Sequence, residues 1–237
     1  MAKHYPWLWF DADGTLFDYH RSEGLALERA FQSVETPFND EALEVYRGIN
    51  RQLWQAFERR EITPAALQIR RFELLMEALE LPCSAGELGA AYLEQLAICA
   101  ELIDGAQDLL QALHANGGCR FAIVTNGLQA VQRSRLALSP LRDYITELII
   151  SEEVGEAKPE PAFFAAAFHR LGNPDPREVL IIGDSLTSDM RGGADYGIDT
   201  CWYNPAGEPR PGDLRITYEI AHLTELLAVL GQAPVPA

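Results

Sequence analysis

The 237-residue sequence lacks any long apolar run. It contains no stretch of about eighteen apolar residues, the length that a membrane-crossing helix needs. The first segment, MAKHYPWLWF, has one lysine and a short apolar run that Pro6 interrupts, and acidic residues follow it directly, unlike a secretory signal. We therefore expect a cytoplasmic protein that does not associate with membranes.

Cysteine is also scarce. The four cysteines, Cys83, Cys99, Cys119 and Cys201, lie far apart and show none of the short paired spacings of zinc sites or redox motifs. Free cysteine is among the most frequently buried residue types. We expect all four to be reduced core residues.

Basic residues are also scarce. The sequence has 19 lysines and arginines but 35 aspartates and glutamates, which gives a formal net charge of −16. Proteins bind nucleic acids by neutralising phosphates with clustered basic side chains. The charge therefore argues against a nucleic-acid polymer as partner. A small phosphate ester is compatible with it, provided that a metal cation or a well-placed lysine makes the site locally positive.

Short apolar segments alternate with amphipathic patterns through much of the chain. The strand-like segments are Trp7–Phe10, Phe121–Thr125, Glu147–Ser151, Val179–Gly183 and Asp199–Asn204. Helical spacing of apolar residues marks Ala106–Ala115, Ala130–Leu138, Pro161–Leu171 and Met190–Tyr196. This alternation predicts an α/β fold with a Rossmann-like, doubly wound parallel sheet.

The alternation is interrupted between the first and second strands. Residues 19–100 show only helical patterns, at Glu23–Val34, Asp40–Arg59, Pro64–Leu79 and Ser84–Leu96. We therefore predict two domains. Residues 1–18 and 101–237 form a Rossmann-like catalytic core, and residues 19–100 form a helical cap domain inserted after the first strand.

Polar residues follow the predicted strands at the point where open parallel sheets bind ligands, beyond the carboxyl ends. The residues at these positions are Asp11, Asp13, Thr125, Asn126, Gly127, Asp184 and Asp189. Lys158, in the segment EAKPEP, stands at the head of the helix that leads into the fourth strand. We expect these side chains to meet at one rim of the sheet.

Several carboxylates at one rim repel each other unless a cation lies among them. Asp11 and Asp184 are placed to give oxygen ligands to Mg²⁺, which prefers such donors and often completes its shell with water and a substrate phosphate. Asp189 is placed to contact the metal through water or to fix Lys158. The Lys158 ammonium offsets the acids and is suited to hold a phosphate oxygen.

The same rim offers the groups for phosphoryl transfer. Thr125 and the backbone N–H groups of Asn126 and Gly127 are donors suited to an anion. Asp11, directly after the strand, is the expected nucleophile and would form an aspartyl-phosphate. Asp13 lies on the same side by the two-residue period of a strand, where it is placed to protonate the leaving alkoxide and then to activate water.

Each signal has an ordinary structural explanation by itself. Asp-x-Asp pairs and Thr-Asn-Gly segments occur in turns and caps, Lys158-Pro159 fits a solvated helix start, and Gly-Asp-Ser fits an N-cap. Their order along the chain, at four successive strand or helix boundaries, favours one shared site over unrelated turns.

The sequence resembles the haloacid dehalogenase-like hydrolase superfamily on four motifs, which match as FDADGTLFD, VTNG, AKPEP and IIGDSLTSDMRGG. The resemblance spans nearly the whole chain and implies Mg²⁺ and an aspartyl-phosphate intermediate. The positions that match functional residues are the nucleophile Asp11, the acid/base Asp13, the phosphate ligands Thr125 and Lys158, and the metal-site acids Asp184 and Asp189. It also implies that the backbone carbonyl of Asp13 binds the metal.

The dehalogenase branch lacks an acid at the position of Asp13, so a phosphatase is favoured. The phrases VTNGLQAVQRSRLALSPL and IISEEVGEAKPEPAFF look most like the pyrimidine 5′-nucleotidases, although Gly14 stands where many of those enzymes have a second consecutive Asp. The resemblance thus implies a 5′-nucleotidase acting on a small phosphate monoester, and we expect a monomer or weak homodimer.

The predicted cap is the expected source of substrate selectivity. Trp54 and Phe72 are candidates for stacking on a base and Arg71 for bonding its edge, although aromatic residues at helical spacing also fit the core of the cap. Other readings stay open: a phosphatase acting on phosphoglycolate or a sugar phosphate, a phosphomutase, or a phospho-Asp receiver domain. A receiver domain needs neither Asp13 nor the insertion.

Overall fold

The computed structural model describes residues 3–232 of the chain. The chain divides into two compact units, with breaks after Asp18 and after Ala100. One unit is a helical insertion, Tyr19–Ala100, and the other is an α/β unit built from the segments on either side of it. Among the described residues, no helix has both the length and the apolar character required to span a membrane.

The helical unit holds four helices within the described residues: α1 (Tyr19–Ser33), α2 (Asp40–Glu58), α3 (Pro64–Leu79) and α4 (Ala85–Ile98). Side-chain caps define where the last three begin. Asn39, Thr63 and Ser84 accept hydrogen bonds from backbone N–H groups in the first turns of α2, α3 and α4. Helix α1 packs on α4, and α3 packs on both α2 and α4.

The α/β unit is built on a sheet that has six strands in residues 3–232. They are β1 (Trp7–Phe10), β2 (Arg120–Thr125), β3 (Ile145–Ile150), β4 (Val179–Gly183), β5 (Asp199–Tyr203) and β6 (Tyr218–Ile220). Their order in space is β3-β2-β1-β4-β5-β6, and all neighbouring pairs are parallel. This is the order of a doubly wound, Rossmann-like sheet, so the predicted fold class is confirmed.

Helices precede and follow these strands along the chain. They are α5 (Ala106–Asn116), α6 (Gln129–Leu138), α7 (Ser151–Val154), α8 (Pro161–Arg170), α9 (Arg191–Tyr196) and α10 (Leu226–Val229). Trp9 of β1 packs against Phe168 of α8 on one face of the sheet. Phe10 points to the opposite face, where it contacts Phe121 edge to face. Burial on both faces explains why the central strands are uninterrupted apolar segments.

Several elements differ from the sequence prediction, which did not include helices α7 and α10. Strand β6 was not predicted, because its three residues carry only one buried apolar side chain and no clear period. A π-helical turn, Leu186–Met190, precedes α9, where the pattern predicted a helix that begins at Met190. Turns of this kind are frequent at functional sites, and this one carries Asp189.

Candidate active site

The predicted site residues of the α/β unit meet where the strand order reverses. Strand β2 lies on one side of β1 and β4 lies on the other, so the topological switch point is at the carboxyl ends of β1 and β4. Asp11 follows β1, Thr125 is the last residue of β2, and Asp184 follows β4. The backbone N–H of Asp11 donates to the carbonyl of Ile182 at 2.8 Å, which holds Asp11 against β4.

The ammonium of Lys158 is buried at the centre of this group. Its Nζ donates to Oδ1 of Asp11 at 2.5 Å, to Oδ1 of Asp189 at 2.6 Å and to the carbonyl oxygen of Val124 at 2.6 Å. An ammonium has three protons, so these bonds use all of them. Lys158 therefore fixes the Asp11 carboxylate, and it can take a phosphate oxygen only by exchanging one of these three partners.

Asn126 fixes the backbone of Lys158. Its Nδ2 donates to the carbonyl oxygen of Lys158, and its Oδ1 accepts from the Lys158 N–H, both at 2.8 Å. Because the planar amide makes both bonds at once, it defines the position of the lysine segment relative to the end of β2. The side chain of Asn126 thus supports Lys158, whereas the sequence suggested only its backbone N–H as an anion donor.

Thr125 and Gly127 form a tight turn after β2. The N–H of Gly127 donates to the buried Oγ1 of Thr125 at 3.0 Å. A hydroxyl that accepts one hydrogen bond still has its own hydrogen to donate, so Thr125 remains suited to hold a phosphate oxygen. Gly127 also has a steric role, because a Cβ at this position would overlap the side chain of Gln132.

Three acids form a compact cluster suited to a metal. Asp11, Asp184 and Asp189 each offer a carboxylate oxygen, and these oxygens lie within 4.8 Å of one another. Three carboxylates around the one ammonium of Lys158 leave an excess of negative charge that a divalent cation would balance. Carboxylate oxygens are the donors that Mg²⁺ prefers, so the residues fit this ion.

The pKa shifts of the clustered groups also favour a bound cation. Burial raises the pKa of Asp11 well above its ordinary value, and the charge of Lys158 opposes this only in part. Although Asp184 reaches solvent, the surrounding protein desolvates its carboxylate, and together with the charge of Asp189 this raises the pKa of Asp184 to about 7. Burial disfavours a charged Lys158, but Asp11 and Asp189 outweigh it and raise the pKa of the lysine. Without a cation, the cluster therefore holds more negative charge than its surroundings favour.

Gly14 allows the loop after β1 to approach this cluster closely. Its φ is +80°, a conformation that other residues rarely adopt. A Cβ at this position would also overlap the carboxylate of Asp184. Glycine therefore brings the β1 loop against the end of β4 without a steric clash.

The Asp13 carboxylate bonds to two side chains that the sequence analysis did not identify as part of the site. Its Oδ1 accepts a hydrogen bond from Nη1 of Arg135, and its Oδ2 accepts one from Nε2 of Gln132. Both partners are buried on α6. One pattern in the sequence could have indicated them. Gln132 and Arg135 are three residues apart and therefore share one face of the helix, and the face that packs on a sheet usually carries apolar residues.

The three candidates in the helical unit differ in exposure. Phe72 is fully buried and packs on Tyr46 and Tyr92, so its ring belongs to the core of this unit. Trp54 is half-buried. Arg71 is buried, with Nη1 donating to Oδ1 of Asn50 at 3.4 Å.

Two N–H donor groups of the Arg71 guanidinium are not used in hydrogen bonds within the described part of the chain. Among the described residues, its Nε and Nη2 have no hydrogen-bond partner, although both are buried. Its guanidinium lies 5.2 Å from the centre of the Phe72 ring and 5.1 Å from that of Tyr92. Buried donors without partners are costly, and here both lie on one edge of the planar guanidinium, whose hydrogen-bonding capacity is therefore unused.

Comparison with known families decides the class of the protein. The model of the haloacid dehalogenase-like hydrolases matches residues 7–197, which is more than half of the chain and includes every acid of the cluster. The chain belongs to this hydrolase family. The resemblance seen in the four sequence motifs is thereby confirmed. Hydrolases of the family generally use Mg²⁺, in keeping with the three-acid cluster.

Similar proteins cover almost the whole of this hydrolase. The pyrimidine 5′-nucleotidase YjjG of Escherichia coli is 37% identical over 95% of this chain and 98% of its own length. The pyrimidine 5′-nucleotidase PynA of Streptococcus pneumoniae is 32% identical over 95% of each chain. A crystal structure of the HAD-hydrolase YfnB of Bacillus subtilis, bound to magnesium, superposes with a TM-score of 0.90 at 36% identity, covering 96% of this chain and 99% of that one.

Proposed function

We propose that this hydrolase is a Mg²⁺-dependent phosphomonoesterase that acts on nucleoside monophosphates, preferably pyrimidine nucleotides, through an aspartyl-phosphate intermediate. The observation that carries the proposal is the buried pair of Lys158 and Asp11, which stands among two further acids at the switch point of the sheet. The relatives named pyrimidine 5′-nucleotidase, which match over most of the chain, support the substrate class.

Asp11 is the nucleophile in this proposal. Lys158 holds its Oδ1, so the carboxylate has a defined orientation before substrate arrives. Attack on phosphorus forms an O–P bond to Asp11 and breaks the bond to the leaving oxygen. Thr125 donates its hydroxyl hydrogen to a phosphate oxygen, and Lys158 limits the negative charge that gathers around the nucleophile.

Asp13 transfers the proton. In the first step it gives a proton to the departing alkoxide, and in the second it takes one from the water that attacks the aspartyl-phosphate. Asp13 is suited to this because its side chain is 27% exposed, whereas the arginine that it pairs with is fully buried. The Asp13 side chain therefore stays partly accessible to solvent while its support is buried.

The metal ligands that we propose are the carboxylates of Asp11 and Asp184 and the backbone carbonyl of Asp13, with Asp189 acting through water or through Lys158. When bound, Mg²⁺ supplies positive charge that offsets the negative charge of the phosphate. The Asp189 carboxylate is already held, since Oδ1 accepts from Lys158 and Oδ2 accepts from the N–H of Ser185 at 3.3 Å. Its main contribution in this proposal is therefore to position Lys158.

The helical unit, which we propose to be a cap, supplies selectivity for the leaving group. Arg71 is the specificity residue that its geometry favours, because its Nε and Nη2 are buried donors without partners in the described part of the chain. A nucleobase presents ring nitrogens and carbonyl oxygens as acceptors for such an edge. Phe72 contributes indirectly, by supporting the Arg71 guanidinium from the core of the unit.

A steady-state screen tests the proposal. Purified protein with Mg²⁺ is compared on nucleoside monophosphates, sugar phosphates and phosphoglycolate, and we expect the highest kcat/KM with UMP, dUMP and dTMP. A lead of more than about tenfold for purine nucleotides or phosphoglycolate would contradict the pyrimidine assignment. A long-lived phospho-Asp without release of phosphate would point to a receiver domain instead, and an Asp11→Asn variant is the negative control.

A further inference from the structure

The Asp13 carboxylate is held at both of its oxygens by one helix. Arg135 donates to Oδ1 and Gln132 donates to Oδ2, and these donors lie three residues apart on the same face of α6. A carboxylate bonded at one oxygen can still rotate about its Cβ–Cγ bond. Two donors on a rigid helix remove this freedom, so the plane of the Asp13 carboxylate is defined.

Burial is distributed unequally across this group. The side chain of Arg135 is 0% exposed and that of Gln132 is buried, whereas the side chain of Asp13 is 27% exposed. An ion pair that served only the core would be expected to bury both partners. Here the supporting side chains are buried and the side chain that they hold stays partly accessible, as expected for a reacting group with a rigid support.

Neighbouring residues support the two donors in turn. The Arg135 guanidinium lies 4.5 Å from the centre of the Phe17 ring, and the loop that carries Asp13 is closed by a bond from the N–H of Gly14 to the carbonyl of Phe17 at 2.9 Å. The missing side chain of Gly127 leaves the space that the Gln132 amide occupies. The loop after β1 and the start of α6 are therefore shaped around this contact.

We infer that Gln132 and Arg135 are positioning residues for proton transfer by Asp13. The inference rests on the proposed phosphomonoesterase function and extends it. Each carboxyl oxygen has two lone-pair positions, and the two donors occupy one on each oxygen. The proton that Asp13 delivers to the leaving oxygen, and later takes from water, is therefore confined to the remaining positions.

The chemistry of the leaving group separates positioning from mere structural support. When the P–O bond of UMP breaks, the 5′-oxygen leaves as an alkoxide and needs a proton. When p-nitrophenyl phosphate is cleaved, p-nitrophenolate is a stable anion and leaves without one. A misplaced Asp13 should therefore slow release of the leaving group from the alkyl ester much more than from the aryl ester, while a general loss of folding or of metal affinity slows both alike. The later attack of water on the aspartyl-phosphate is common to both esters, so the comparison uses kcat/KM, which covers only the steps up to release of the leaving group.

The test compares Gln132→Met, which removes the donor and keeps the chain length, with Gln129→Met, an exposed position one turn earlier on α6. We expect Gln132→Met to lower kcat/KM for UMP by about tenfold to a hundredfold, within the usual range for general acid catalysis, and to change kcat/KM for p-nitrophenyl phosphate by less than about threefold. Gln129→Met should resemble the wild type.

Arg135→Lys provides the second variant, since it keeps the buried charge and changes the geometry of the donors. It should shift the ratio of the two kcat/KM values in the same direction, and Asp13→Asn gives the limiting ratio. Equal losses in kcat/KM on both esters, or an unchanged ratio in folded Gln132→Met and Arg135→Lys proteins, would overturn the inference while the hydrolase assignment stands. A wild-type protein that cleaves neither ester would overturn the proposed function, and the inference with it.

Discussion

At the scale of the residue, the site depends on charges buried against one another. Lys158 pairs with Asp11 and Asp189, so each group makes the charged state of the others tolerable in a place with little solvent. The same burial makes the arrangement fragile, because removing Lys158 leaves the two acids without their counter-charge. Predictions at this scale therefore concern single charged side chains.

Lys158→Met should destabilise the metal-free protein strongly. It leaves Asp11 and Asp189 facing each other without a cation, and breaking a buried pair in this way typically costs about 3–5 kcal/mol. Urea denaturation at neutral pH measures the loss, and phosphatase activity should disappear. The matched control is Lys3→Met, whose ammonium pairs with Asp199 at 2.6 Å but whose side chain is 42% exposed, so its loss should cost at most about 1 kcal/mol. Equal losses for the two variants would contradict the role of Lys158.

Arg71→Lys should weaken the binding of nucleotides without harming the chemistry. A lysine keeps the charge but cannot present the two adjacent donors of a guanidinium edge. We expect KM for UMP to rise by about tenfold and kcat/KM for p-nitrophenyl phosphate to change little, because that ester has no base. Arg70→Lys, at the neighbouring exposed position, is the control. An unchanged KM for UMP would remove Arg71 from the specificity residues.

The pH dependence of stability should involve Asp199, at the start of β5. Burial alone would raise its pKa, but hydrogen bonds from Lys3 and Tyr5 and the charges of Lys3 and Arg215 outweigh this and lower it. An acid with a lowered folded pKa stabilises the fold above the unfolded pKa, near 4, and this stabilisation is lost as the pH falls through the folded pKa.

Asp199→Asn should therefore lower Tm at pH 7 by several degrees, and the difference from the wild type should shrink as the pH falls below about 4. Thermal melts between pH 3 and 8 would show this, with exposed Asp195→Asn as the control. A difference in Tm that stays constant over the whole range would contradict the assignment.

At the scale of the element, helices of the helical unit begin at capping residues that can be recognised in the sequence. Ser84 accepts from the N–H of Glu87 at 3.1 Å, and the Glu87 carboxylate accepts from the N–H of Ser84, which together form a capping box at the start of α4. The start of α6 is different, because Leu128 offers no side-chain cap and the helix is held instead by tertiary contacts such as the bond from the N–H of Gln129 to Glu152.

Ser84→Ala should destabilise the helical unit by about 1 kcal/mol, because it leaves a backbone donor of the first turn without its partner. For a chain of this size that corresponds to a drop in Tm of about 2–4 °C. Ser84→Thr should recover most of the wild-type Tm, since threonine keeps the hydroxyl that accepts from the N–H of Glu87 and donates to its carboxylate. Circular dichroism melts of the three proteins would decide, and a Ser84→Thr protein as unstable as Ser84→Ala would rule out capping as the cause.

At the scale of the whole molecule, a formal charge of −16 makes any bound cation favourable, so specific binding has to be separated from screening. Mg²⁺ at about a hundred times its Kd should stabilise the fold by about 2.7 kcal/mol, whereas NaCl at equal ionic strength should add much less. Asp184→Asn should lose most of this gain, and EDTA should abolish ester cleavage by the wild type. Full activity after exhaustive chelation would exclude the proposed metal mechanism.

Much of the architecture could be predicted from the sequence because its signals are local. The apolar segment Val179–Gly183 and the helix at Pro64–Leu79 were located to the residue, since period, composition and caps act over a few positions. The order of the polar residues after successive strands also indicated a shared rim, because parallel strands end on the same edge. Strand β6 escaped prediction, since three residues carry no readable period.

The sequence by itself determined the fold class, through patterns within single helices and strands, and the family, through four motifs in order along the chain. Only the tertiary structure decided which remote side chains form contacts. Arg135 donates a hydrogen bond to Asp13, 122 residues away in the sequence, and Lys158 donates one to Asp11, 147 residues away. It also decided that the Phe72 ring is buried in the core of the helical unit. The physical reason is distance along the chain. Strand order and helix packing set which remote side chains come within hydrogen-bond range, and local propensity carries no information about them.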